Sequence, residues 1–344
     1  MRLFYIFVIF LCKTAFIHGQ EWDRTDAVWN FALISSCDQG LHVGPIQYFT
    51  TEPQFHRQAY QRIQSGDIVW VPARFISRFC REVLRKNIPP FVLVISDGDE
   101  SFPSDCGLSP EGMEVFISRP NIIHIFAQNC DYRGTSQKVS HLPIGMDFHT
   151  IAYKGVHGGW GEKGSPQEQE AVLQRIVKDS QPTHLRKMRA FVDFQLSDTM
   201  HASFSRYKQF GEDRAMIFQR LLQTNLIDYA GWMRRSQLWE TKVQYAFSIS
   251  PHGNGFDCHR TWEDLILGCI VIVKTSPLDP LYEGLPVVIV QDWSEVTEEN
   301  MTKWLALYGD ASTNPLYREK LTNSYWFSKI QAMAATYKTL TKSL

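Results

Sequence analysis

The chain has 344 residues, 21% of them charged and 44% apolar, with ten Trp and a net charge of −1. That length accommodates one or two domains with buried cores. The near-neutral charge, without a basic stripe, excludes a nucleic-acid-binding protein, and no low-complexity block or short-period repeat is present.

At the N-terminus, Arg2 precedes the apolar run 3–12, which Lys13 interrupts. A bilayer needs about 20 apolar residues, so this run reads as the hydrophobic region of a signal peptide over 1–19. The alternative is a retained signal anchor in which Lys13 snorkels to the interface. Either reading delivers the remainder to the secretory lumen, in the Golgi or ER or onward to secretion. A leader carries off Arg2 and Lys13 and takes the net charge from −1 to −3.

Six of the seven cysteines lie beyond that leader. In an oxidising compartment, Cys37, Cys106 and Cys130, each beside turn residues, are the expected bridge formers. Cys269 opens an apolar strand and reads as a buried thiol. Neither C-x-x-C nor a Cys/His ligand spacing occurs, so a zinc site is not expected; the chain as a whole is expected to use no metal and no cofactor. Asn300-Met301-Thr302 is a glycosylation sequon.

The first half reads as helix 54–64, strand 67–71, helix 75–85 ended by Pro89-Pro90, and apolar strands at 91–95, 122–127 and 139–144. Continuous apolar runs fit strands covered on both faces, and alternation with helices fits a parallel sheet. Residues 154–165 form a Gly-rich loop, followed by an amphipathic helix at 167–179. The second half reads as strand 189–194, helix 212–223, short helix 239–245, strands 246–249, 268–273 and 287–290, and helix 297–308. A helical tail over 318–344 is expected to pack back across the first half.

Four stretches carry chemistry. The strand ending at Ile249 feeds the loop His252-Gly253-Asn254-Gly255 and then a helix with Arg260, Glu263 and Asp264. Unpaired N–H groups and the helix dipole favour an anion there. Glu263 lies one turn after Arg260, so a cation for phosphate and a carboxylate for ribose share one face. His252 and His259 flank the loop and can donate to phosphate. Asp97-Gly98-Asp99-Glu100 follows strand 91–95, at the carboxyl end where α/β sheets bind ligands. Asp99 and Glu100 are the leading general-base candidates. Gly145 turns the chain after 139–144 and displays Asp147 and His149; His149 is the next base candidate, with Asp147 fixing its tautomer. Trp160, Trp232 and Trp239 can stack on sugar rings or fill core. Neither G-x-x-x-x-G-K-[ST] nor G-x-S-x-G occurs, which disfavours a P-loop kinase and an α/β-hydrolase.

The 247–293 block resembles the nucleotide-sugar domain of exostosin-like glycosyltransferases, the family-47 group. The likeness lies in a strand ending Ser-Pro, a Gly-bearing loop, Arg260 followed by Glu263, and the run 268–273; Val271 stands where related chains often carry Pro. It implies a GT-B fold, α/β with two Rossmann-like domains facing a central cleft. It also implies that Glu263 binds ribose and Arg260 faces phosphate. The expected organisation is a leader at 1–19, an acceptor-side domain at 20–153, a linker and helix at 154–184, a nucleotide-sugar domain at 185–317 and a C-terminal helix at 318–344. The expected activity is transfer of a hexose or pentose from a nucleotide sugar, a UDP-sugar by resemblance, to a glycan or glycoprotein. No nucleic-acid partner is expected, and a membrane only if the leader is retained. Two alternatives stand beside this: a metal-dependent GT-A enzyme using Asp97 and Asp99, and a non-catalytic carbohydrate-binding protein of the same fold.

Overall fold

The computed structural model describes residues 25–52, 54–85, 87–153, 160–196 and 213–342. The expected leader and the first half of the Gly-rich loop at 154–165 lie outside the described residues. Strands β1 (Ile68–Trp70), β2 (Phe91–Ile95), β3 (Ile122–Ala127) and β4 (Val139–His141) form one parallel sheet in that order. Strands β5 (Lys187–Val192), β6 (Ile227–Tyr229), β7 (Tyr245–Ile249), β8 (Ile270–Lys274) and β9 (Val287–Val290) form a second parallel sheet, ordered β6-β5-β7-β8-β9. This is α/β architecture with two Rossmann-like halves, the arrangement of the GT-B class. In the second sheet the chain leaves β5 for β6 on one side and returns as β7 on the other. The carboxyl ends of β5 and β7 therefore flank a topological switch point, where open α/β sheets hold ligands.

The apolar runs form strands because both faces are covered. In β2, Val92 and Val94 enter a central core while Phe91, Leu93 and Ile95 enter an outer layer. In β8, Val271 and Val273 face the central core, and Ile270 and Ile272 face the outer one. The central core runs without a break from the first sheet to the second. Helix Asn323–Lys342 lies across β1, β2 and β3 and sends Trp326, Ile330 and Ala334, spaced one turn apart, into it. Among the described residues no helix is long and apolar enough to cross a membrane.

Four expectations are corrected. Residues 54–64 hold only a 3₁₀ turn, Arg57–Tyr60. Phe55, Tyr60 and Ile63 are all buried. An α-helix would set the first two about 140° apart, so packing overrides helical propensity. The strand expected over 139–144 stops at His141: Leu142 still donates to Ala127 O (2.8 Å), and Pro143 has no N–H to continue the ladder. The tail is two helices, Pro315–Lys320 and Asn323–Lys342. The break is where the 25–28 segment bridges in, with Ala27 opposite Thr322 and Asn323 Nδ2 donating to Thr25 O (2.8 Å) and Ala27 O (2.9 Å). Cys37, Cys106 and Cys130 are free thiols. Cys37 packs against the central core, and the other two lie in the outer layer of the first sheet.

Candidate active site

The loop after β7 is shaped by its approach to the first half. A Cβ on Gly255 would stand 2.8 Å from Asn129 Nδ2, at the end of β3, so only glycine fits without displacing Asn129. Asn129 Oδ1 accepts from Asp257 N (2.8 Å), and Asp257 Oδ2 accepts from Ile144 N (2.8 Å). Trp262 Nε1 donates to both Asp257 oxygens at 2.9 Å. Burial pushes the Asp257 carboxyl up to about 6 against these donors. His259 Nδ1 lies 2.7 Å from Gly145 O; the carbonyl can only accept, so Nδ1 carries the proton in the neutral ring. The helix His259–Ile266 therefore starts with its N-terminus and the Gly253–Gly255 turn presented to the space between the sheets.

Two buried charge clusters support that helix. Lys242 Nζ is fully buried, 2.6 Å from Asp193 Oδ2 and 2.7 Å from Asp264 Oδ1. Burial alone would lower its pKa, but the two carboxylates outweigh it and hold the ammonium above the ordinary lysine range. Arg260 Nε contacts the other Asp193 oxygen at 2.9 Å. Burial opposes ionisation of Asp193, and Lys242 with Arg260 holds it below the usual carboxylate range. Ser248 Oγ donates to Asp264, whose carboxyl burial pushes up to about 6. Asp193 directly follows β5 and Ser250 follows β7, so this cluster sits at the switch point. In the second cluster Arg235 reaches Asp147 Oδ2 (3.1 Å) and Gln169 Oε1 (3.0 Å) and lies 3.9 Å from Glu263 Oε1. Trp239 Nε1 donates to Glu263 Oε2 at 3.4 Å. His149 Nδ1 lies 3.1 Å from Asp147 Oδ1, with the Phe49 ring stacked on the imidazole at 4.8 Å. Burial works against the Asp147 anion, but His149, Arg235 and His259 overcome it and depress its pKa strongly.

The two clusters border one cleft of about 500 Å³, lined from both halves. It brings together Asp99, Asp147, Gly253, Asn254, Gly255, Arg260 and Glu263 among the residues expected from sequence. Three others are placed differently. Glu100 pairs with Arg74 (3.2 Å), which also binds Asp97 (2.5 Å), so of the three carboxylates in that turn Asp99 alone lines the cleft. Asp97 is held by Arg74, and Asp99 faces the cleft. His149 supports Asp147 without lining the cleft. His252 is buried, its Nδ1 at 2.8 Å from Phe256 O, and it braces the loop from within. Sequence reasoning missed Asp193, Lys242, Arg235, Arg214 and the apolar end of the cleft at Tyr229 and Met233. Trp160 and Trp232 are partly exposed in the lining, whereas Trp239 is core. Arg214 and Arg260 both lie over the Phe194 ring, at 5.9 and 5.7 Å from its centroid, so two cations converge beside the Gly loop. Among the described residues, Asp147, His149 and His259 set possible metal-ligand atoms within 4.8 Å of one another. Arg235 already neutralises the carboxylate of that trio.

No protein-family model matches the chain, and no curated protein matches it. Among solved structures, TarM superposes with a TM-score of 0.40 at 9% identity, over 79% of this chain and 55% of its own. Sucrose-phosphate synthase from Thermosynechococcus elongatus gives 0.38 at 9% identity, over 80% and 74%. An α1,3-fucosyltransferase with GDP-fucose gives 0.36 at 11% identity, over 85% and 95%. The chain spans about half the length of TarM (55%). Likeness at this level carries no functional argument, which rests instead on the chemistry of the cleft.

Proposed function

We propose that this chain is a glycosyltransferase of the exostosin-like kind, moving a hexose or pentose from a UDP-sugar to a glycan or glycoprotein in the secretory lumen. The observation that carries the reading is the Arg260–Glu263 face beside the Gly253–Gly255 turn, at the switch point and opposite the Asp99 turn of the other sheet. In this reading residues 185–317 bind the donor and residues 20–153 receive the acceptor. Glu263 accepts from ribose hydroxyls, and Tyr229 and Trp232 offer rings to the base. Arg260, Arg214 and the helix N-terminus stabilise the departing diphosphate, whose negative charge grows as the glycosidic bond breaks. Asp99 takes the proton of the acceptor hydroxyl.

Turnover of a UDP-sugar panel, with and without a chelator, tests this together with UDP calorimetry on Glu263→Gln. The expected results are hydrolysis or transfer of at least one donor, activity that survives the chelator, and a loss of about 1–3 kcal/mol in UDP binding. Unchanged UDP affinity would remove Glu263 from the site. Activity lost to the chelator and restored by a divalent ion would move the diphosphate onto a metal. UDP and glycan binding without turnover of any donor would indicate a non-catalytic carbohydrate-binding protein.

A further inference from the structure

A second concavity, of about 260 Å³, opens at the carboxyl end of β1 and shares no lining residue with the cleft. Its walls are Tyr48, Tyr60, Trp70 and Phe75. The Trp70 indole is fixed by donating to Ser96 Oγ at 3.1 Å, and Tyr48 meets it edge-on at 5.7 Å. Polar groups stand at the mouth: Gln47, Glu52 and Gln54 are exposed, and the His42 and His56 rings lie 3.9 Å apart. Aromatic side chains in the wall and amide, carboxylate and imidazole groups around the rim supply the two kinds of surface that a pyranose needs. Its C–H face is apolar, and its hydroxyls are donors and acceptors at the edge.

The lining contains no Lys or Arg, and its single formal charge is the Glu52 carboxylate. Such a pocket repels uronates and sulfated sugars and accepts neutral ones. Its volume is below the roughly 300–1,000 Å³ of sites that enclose drug-sized ligands, so it suits one sugar residue with its neighbours projecting out. The Asp97–Glu100 turn lies between the two spaces: Asp97 acts on the buried hydroxyl of Tyr48, a residue of the pocket wall, while Asp99 lines the cleft.

We propose that this pocket binds a neutral sugar residue of the acceptor chain, remote from the residue that receives the transferred sugar. The acceptor role rests on the transferase reading; the binding of a neutral sugar by the pocket does not. The test measures binding of neutral xylo-, galacto- and chito-pentasaccharides to the whole protein, with a uronate pentasaccharide as control and UDP titrated in parallel. Gln47→Ala, Glu52→Ala and His42→Ala change exposed side chains outside the cleft. At least one neutral pentasaccharide should bind, with tenfold or greater weakening in the Gln47 and Glu52 variants and unchanged UDP affinity. In turnover, those variants should raise the acceptor KM with kcat preserved, and the effect should vanish for a monosaccharide acceptor. The proposal is overturned if no neutral oligosaccharide binds, if the variants bind them as tightly as the parent, or if the uronate binds best. Sugar binding that depends on Gln47 in a protein that does not bind UDP would support the pocket and remove the transferase reading.

Discussion

Asp99 and Glu100 are adjacent in sequence and have different neighbours. Arg74 holds Glu100 at 3.2 Å, whereas Asp99 lines the same cleft as the Gly253–Gly255 turn. Asp99→Asn should therefore cut turnover by roughly 10²–10⁴-fold with UDP affinity preserved, as for loss of a general base. Glu100→Gln should act only weakly, through the placement of Arg74. If Asp99→Asn keeps full turnover and His149→Ala abolishes it, the base is the imidazole paired with Asp147. The apolar strand ending in a carboxylate turn was readable from sequence. Which carboxylate reaches the cleft was not, because Arg74, on another segment, decides it. Asp257 is a second residue-scale case. Its carboxyl rises from the ordinary 3.8 to about 6 on burial, so the folded state binds this proton more tightly than the unfolded chain. Its contribution to stability is complete below about pH 4 and is lost as pH rises through 6, a change of about 3 kcal/mol. Urea unfolding of the parent and Asp257→Asn, compared at pH 4.5 and 7.5, should show about 2 kcal/mol of additional pH dependence in the parent, since about 1 kcal/mol is already lost by pH 4.5. Parallel pH profiles would show that Asp257 does not titrate in this range.

At the scale of elements, helix Arg235–Lys242 shows where pattern reading stops. Its sequence, RSQLWETK, looks like a solvated surface helix, yet Arg235, Trp239 and Lys242 are all buried. A lone Lys carries no sign of burial; its partners, Asp193 and Asp264, come from other elements and meet it only in the folded chain. By contrast, β2, β7 and β8 were legible because runs covered on both faces are apolar at every position or nearly so. The helix His259–Ile266 was legible because its glycine loop and Arg–Glu spacing are local. The Lys242 arrangement makes a specific energetic claim. Lys242→Met leaves Asp193 and Asp264 buried with one cation, Arg260, between them, and should destabilise the fold by about 3–5 kcal/mol. Adding Asp264→Asn removes one anion and leaves the Asp193–Arg260 pair intact. The double variant should then be more stable than the sum of the single changes by about 0.5–3 kcal/mol. Strict additivity in urea unfolding would mean that Lys242 and Asp264 are not energetically coupled.

At the scale of the whole molecule, the two sheets are joined by more than a linker. The central core is continuous from Val92 and Val94 in the first sheet to Val271 and Val273 in the second. Trp326, on the helix that covers the first sheet, meets Trp262 of the second half edge-on at 6.3 Å. Asp257 and His259 are bonded to backbone atoms of Ile144 and Gly145, across the cleft. Unfolding either half alone would expose the apolar face of the other and strand the buried Asp257 carboxylate, so neither half has a stable independent state. Calorimetry should therefore show a single transition for the whole chain. On the proposed reading that the cleft binds UDP, UDP at a hundredfold excess over its Kd should move that transition as one, by about 2.7 kcal/mol of added stability. Ile330→Ala, in the helix over the first sheet, removes a fully buried side chain and should lower the same single transition, at a cost of about 2–5 kcal/mol. Two resolved transitions, with UDP raising one and Ile330→Ala lowering the other, would show that the halves fold separately and that the shared core contributes little coupling.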